Sequence, residues 1–176
     1  MTFEAWKPIA VCLAVAVAGP AFAQSAERVA AHTDWSVFVA ANPKECYIVS
    51  PPENWVARRD GKTVEVNRGD IRLYVSFRPE RGVANEVSFN SGYPLKPGNP
   101  VKLEIGSNSF NLSPGEGAGA EWAWTDPADD ARAVTAMRAG AEAKITGVSA
   151  RGTTTVDTFS LSGFTAAITD AEARCK

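Results

Sequence analysis

The 176-residue chain holds one histidine, His32, and three cysteines, Cys12, Cys46 and Cys175. A serine nucleophile needs a base within reach, and the sole histidine lies ahead of the first core-like strand, so a Ser-His pair is not expected. The nucleophile elbow Gly-x-Ser-x-Gly is missing too, since Gly147-Val148-Ser149-Ala150-Arg151 lacks its last glycine. Neither Cys46 nor Cys175 has a second thiol or a histidine at ligand spacing, so no metal site is expected. Charge of neither sign is in excess: 18 Lys and Arg stand against 20 Asp and Glu. The resulting net charge of −2 leaves no electrostatic footprint for nucleic acid or anionic lipid.

Long apolar runs are scarce, and the one at residues 9–18 is informative. Lys7 precedes it, and Ala21-Phe22-Ala23 follows as a small-x-small cleavage site before Gln24. This reads as a cleaved secretory signal peptide, residues 1–23. Gly19 and Pro20 interrupt a stretch already shorter than the ~20 apolar residues a spanning helix needs, so no transmembrane segment is expected after cleavage. Cys12 leaves with the signal, and Val11 stands where a lipoprotein signal requires a small residue. The remaining 153 residues (176 minus 23) suit one domain. Residues 24–33 read as a flexible mature N-terminus and 34–176 as that domain.

Export implies the periplasm, an oxidising compartment, with outer-membrane association or secretion left open. An even pair of cysteines there reads as a structural disulfide, Cys46–Cys175, rather than a reactive or metal-binding pair. Closing a loop that long is worth ~5 kcal/mol at most in chain entropy.

The body of the chain alternates short β-prone runs with turn signals, the spacing of a β-sandwich or barrel. Strands are expected at 35–39 and at 46–49, the latter ended by Pro51-Pro52 and continuing around 55–57. Asp60-Gly61 is a strong hairpin signal, with 63–66 pairing back. Ile71, Leu73, Val75 and Phe77 alternate with polar or amphipathic neighbours, the pattern of a half-buried strand. Further strands are expected at 86–89, 101–105, 109–112, 121–124, 144–150 and 154–161. Residues 90–100, with Pro94, Pro97 and Pro100, read as an extended loop.

Two helices complete the reading. Asp126 as N-cap and Pro127 at the first position predict a helix ending at Gly140, with Ala131, Val134 and Met137 facing inward. Its acidic residues Asp126, Asp129 and Asp130 suit the helix dipole and lack the glycine and distal glutamate of an EF-hand loop. Phe164, Ala167, Ile168 and Ala171 fall at helical spacing within a terminal helix over 164–174 that delivers Cys175 to Cys46. The glycines of Gly115-Glu116-Gly117-Ala118-Gly119 lack the lysine and helix start of a phosphate loop and read as a linker.

Trp122 and Trp124, two apart on a strand, share a face, and Tyr93 sits in the long loop. These three are the candidate partner-binding residues, against the alternative that the tryptophans fill the core. Arg68-Gly69-Asp70 matches an adhesion tripeptide but fits a turn. Glu65, Asp70, Glu86, Glu104 and Glu121 are scattered acids that glycoside chemistry would need brought together in pairs. No catalytic residue and no cofactor is assigned.

Asp34-Trp35-Ser36-Val37, Lys44-Glu45-Cys46-Tyr47-Ile48-Val49-Ser50, Gly92-Tyr93-Pro94, and above all Phe159-Ser160-Leu161-Ser162-Gly163-Phe164-Thr165-Ala166-Ala167 ahead of Cys175, resemble the invasion-associated locus B family. The resemblance implies an exported protein of Gram-negative bacteria with an immunoglobulin-like β-sandwich, located in the periplasm or envelope, with no known catalytic activity. Many members carry a further cysteine shortly after the first tryptophan; Phe38 and Val39 stand there in this chain, leaving one cysteine pair. A non-enzymatic protein that binds an envelope or protein partner is the reading that follows. The alternatives are a glycan-acting periplasmic hydrolase and a structural envelope protein without a discrete ligand.

Overall fold

Alternation of large apolar and smaller or polar side chains drives the architecture, because each strand has one face to hide. The computed structural model describes residues 26–176. The expected signal peptide, with Cys12, lies outside the described residues. Twelve antiparallel strands form one continuous sheet: β1 (Glu27–His32), β2 (Trp35–Ala40), β3 (Glu45–Ser50), β4 (Asn54–Arg59), β5 (Lys62–Thr63), β6 (Arg72–Arg78), β7 (Val83–Asn90), β8 (Val101–Ile105), β9 (Asn108–Pro114), β10 (Trp122–Thr125), β11 (Glu142–Val148) and β12 (Thr154–Ser160). Among the described residues, two α-helices, α1 (Asp130–Ala139) and α2 (Phe164–Arg174), accompany the sheet.

The order β1-β2-β3-β6-β7-β10-β9-β8-β11-β12-β4-β5 would be too wide to stay open. It folds over on itself: Phe89 of β7 and Phe159 of β12, far apart in that order, meet edge to face with centroids 6.2 Å apart. The layers are therefore two halves of one sheet, mainly β, consistent with the immunoglobulin-like sandwich that the family resemblance implies. Inner residues Val37, Ile48, Leu73, Val75, Leu103, Leu112 and Ile145 are fully buried between them. That shared core is the main source of stability.

Both helices pack on inner-face residues. Phe164 of α2 meets Trp35 edge to face at 5.0 Å, and Cys175 just beyond it joins Cys46 in a disulfide with a Cα–Cα distance of 5.7 Å. Phe164, Ala167, Ile168 and Ala171 are buried, as their spacing predicts. Gly163 enters α2 with φ +84°, and a Cβ there would come within 2.0 Å of the His32 carbonyl oxygen, so only glycine lets β1 approach the helix.

Four local expectations change. Glu27–His32, read as part of a flexible N-terminal segment, pairs with β2 as an edge strand. Residues 55–57 do not extend β3; they belong to β4, which pairs with β12 in the other half of the sheet. The Asp60-Gly61 turn is present, but its return strand is Lys62–Thr63 only. Helix α1 starts at Asp130, after a turn in which the Asp129 amide donates to the Asp126 carbonyl at 2.8 Å. The cause is tertiary: the buried Asp130 carboxylate accepts from the Thr125 hydroxyl and, at 3.2 Å, from the Val87 amide. That rotates the helix, so Ala133, Val134, Ala136 and Met137 face inward and Ala131 is exposed.

Candidate functional site: an aromatic face and a rim cleft

On the outer face of the first half-sheet, where sequence alternation leaves every second residue outward, five aromatics form a continuous strip. Phe38 and Tyr47 stack with centroids 5.1 Å apart and planes 4° from parallel. Tyr47 meets Tyr74 at 6.0 Å, Tyr74 meets Trp122 at 5.2 Å, and Trp122 stacks on Trp124 at 6.1 Å. Strands β6 and β10 are not neighbours, because β7 runs between them. Ser88 of β7 stands opposite both Tyr74 and Trp124. The Tyr74–Trp122 contact is therefore diagonal, since Trp122 stands opposite Asn90, and Ser88 is itself covered, only 4% exposed.

All five rings are half-buried. The two near-parallel pairs, Phe38 with Tyr47 and Trp122 with Trp124, turn ring faces toward each other, while Tyr74 meets Tyr47 and Trp122 at tilts of 58° and 36°. Trp124 also touches the glycine-rich segment: a Cβ at Gly115 would lie 2.9 Å from its ring and 2.6 Å from the Gly119 carbonyl oxygen. The glycine-rich segment is thus a lid packed on Trp124 rather than a slack linker. Burial raises the phenol pKa of both Tyr47 and Tyr74, so the strip stays uncharged at neutral pH.

Tyr93 is elsewhere. Its ring lies 4.9 Å from the Arg68 guanidinium, with Trp55 on that cation at 5.1 Å. Arg68 donates to both Asp157 oxygens, at 2.5 and 3.0 Å, and to the Ser91 carbonyl at 2.7 Å. The side chains of Arg68 and Asp157 are 2% and 0% exposed. Burial alone raises the Asp157 pKa, and the guanidinium acts against that by stabilising the carboxylate. With Arg68 committed to this pair, Arg68-Gly69-Asp70 is not displayed as an adhesion tripeptide. Gly92, at φ +68°, permits the loop to close here, since a Cβ would sit 2.7 Å from the Gly69 carbonyl oxygen.

Beside this pair opens a cleft of about 490 Å³ where the layers meet, bounded by Arg59, Glu65, Tyr93, Glu121 and Arg151. The Tyr93 hydroxyl lies 2.7 Å from that of Thr155, and Arg59 donates to the Thr153 hydroxyl at 2.6 Å. The structure thus brings Trp122 and Trp124 together, adds Phe38, Tyr47 and Tyr74 that sequence reasoning missed, and assigns Tyr93 to a different site. The alternation of Phe38, Tyr47 and Tyr74 with buried neighbours was a signal available for the first; nothing local announces the cleft. The three acids near α1 serve separate ends: Asp130 binds the sheet, Asp126 accepts from the Ala128 amide at 2.9 Å, and Asp129 pairs with Arg132 at 2.5 Å. No group of three or more metal-ligating side chains occurs among the described residues.

The molecule is a disulfide-closed antiparallel β protein, and its single bridge fits an extracytoplasmic compartment. The chain matches the family model described as invasion associated locus B (IalB) protein over residues 98–172, from just before β8 into α2. The resemblance seen in the Leu161-Ser162-Gly163-Phe164 run is thereby borne out, while residues 34–50 and 92–94 lie outside the matched region. No curated protein and no solved structure matches the chain. No helix among the described residues is long and apolar enough to cross a membrane.

Proposed function

We propose that this is a non-enzymatic periplasmic or envelope-associated protein of the invasion-associated locus B type, which holds an envelope or protein partner across its aromatic strip. The observation that carries the reading is the strip itself: five half-buried rings in unbroken contact on a sheet face that neither helix covers. Because two of the ring pairs are already stacked on each other, the partner packs apolar side chains against the strip rather than inserting a sugar between those faces. Export by residues 1–23 would place the strip in the periplasm of a Gram-negative cell.

Pull-down from periplasmic extract tests this. The intact protein should recover one partner reproducibly, and Trp122→Ser with Tyr74→Ser should lose it while the far-ultraviolet spectrum and disulfide are unchanged. Undiminished recovery by the double variant would rule out the strip as the binding surface. No partner for either protein would favour a structural envelope role.

A second reading, a hydrolase acting on glycans, draws on the presence of Glu65 and Glu121 along one cleft. It requires release of reducing ends from an envelope glycan that Glu65→Gln or Glu121→Gln abolishes. Absence of release by the intact protein removes it.

A further inference from the structure

We propose that the rim cleft binds a neutral polyhydroxylated ligand, a mono- or disaccharide, at a site separate from the aromatic strip. Its charges carry the argument. Arg68 is neutralised by Asp157, which leaves Arg59 and Arg151 against Glu65 and Glu121, two of each sign. None of these four makes an ion pair among the described residues, and Arg59 is held only through Thr153. An anion would satisfy the guanidinium groups and be repelled by the carboxylates; a cation would meet the reverse. A polyol has no net charge, donates hydroxyl protons to Glu65 and Glu121, and accepts from Arg59 and Arg151.

Size and stiffness agree with this. A volume of about 490 Å³ falls in the range of small-molecule sites, ~300–1,000 Å³. The wall made by Tyr93, Thr153 and Thr155 is held in place before any ligand arrives. The Tyr93 hydroxyl is anchored on Thr155, and Gly147 beneath it leaves room that a Cβ, 2.9 Å from that oxygen, would fill. Thr153, which holds Arg59, is buried, and its amide donates to the Ser149 hydroxyl at 3.1 Å. Groups held in this way lose little freedom on binding.

The test is an amide and arginine side-chain NMR titration of the disulfide-intact exported protein with glucose, N-acetylglucosamine and cellobiose, and separately with inorganic phosphate. At least one sugar should give saturable shifts at Tyr93, Thr153, Thr155 and Arg59. Arg151→Ala, at an exposed turn position that leaves the fold intact, should weaken that binding about tenfold, the size of one lost hydrogen bond to a charged group. Trp122→Ser should leave it unchanged, so failure here and failure of the aromatic strip are read separately. Absence of saturable shifts for every sugar, or tighter binding of phosphate at the same residues, would overturn the proposal.

Discussion

The aromatic strip and the rim cleft both rely on aromatic rings, yet they use them in opposite ways. In the strip, rings from β2, β3, β6 and β10 pack on one another, stacked or tilted, and need no charge. Beside the cleft, Trp55 and Tyr93 flank a guanidinium whose counter-charge is fully buried. Ring-on-ring contact is made of many small, interchangeable terms, so it degrades gradually. A buried ion pair fails abruptly, because removing one partner leaves the other charge without water.

The sharpest way to break this contrast is Arg68→Ala. It strands Asp157, and the loss of stability should be about 3–5 kcal/mol by urea denaturation at neutral pH. A loss below about 1 kcal/mol would show that the pair is wet and the contrast unfounded.

Removal of the bridge by Cys46→Ser with Cys175→Ser comes next, at about 2–4 kcal/mol. It adds a third kind of contact, a covalent one, to the comparison. Helix α2 keeps its buried face and the hydrogen bond between Asp170 and His32 at 3.1 Å. Hydrogen exchange should therefore show its amides loosening ahead of the sheet while the helix persists. Uniform loss of protection would mean that the bridge supports the whole core.

Within the strip, Trp124→Ala should cost about 1–3 kcal/mol, less than a fully buried ring because half of it already meets solvent. It should also expose residues 115–119 to limited proteolysis, since the glycine lid loses its floor. Phe38→Ala, at the far end, should cost less and leave the lid resistant. Equal cleavage of the two variants would break the link between Trp124 and the lid.

The smallest effect concerns Asp130, a buried carboxylate with no cation, and so a control for Asp157. Burial raises its pKa, and hydrogen bonds from Thr125 and Val87 only partly oppose this. A raised native pKa means that the folded state holds the proton longer than the unfolded chain. Its contribution is complete below the ordinary aspartate range and declines as pH rises through the native value. Asp130→Asn should flatten that decline in a pH series of urea midpoints. An identical slope in the variant would show that the carboxylate is solvated.

Much of the fold was legible because it depends on period. Ile71, Leu73, Val75 and Phe77 are buried as their alternation predicts, and α2 spans the residues its spacing indicated. Sites were less legible. Trp122 and Trp124 share a face by strand geometry alone, but Tyr74 meets Trp122 only because tertiary pairing sets β6 and β10 on either side of β7. Arg68 and Asp157 lie 89 positions apart, and neither residue type signals the other.

The sequence by itself determined the strand and helix periods, the single cysteine pair available to close the domain, and a balanced charge. These are properties of neighbours along the chain or of simple counting. Tertiary structure alone decided which half of the sheet received β4, where α1 begins, and which aromatics became a strip or a cradle for a cation. Each of those outcomes depends on distant groups meeting in a water-poor place, where a hydrogen bond or charge pair outweighs local propensity.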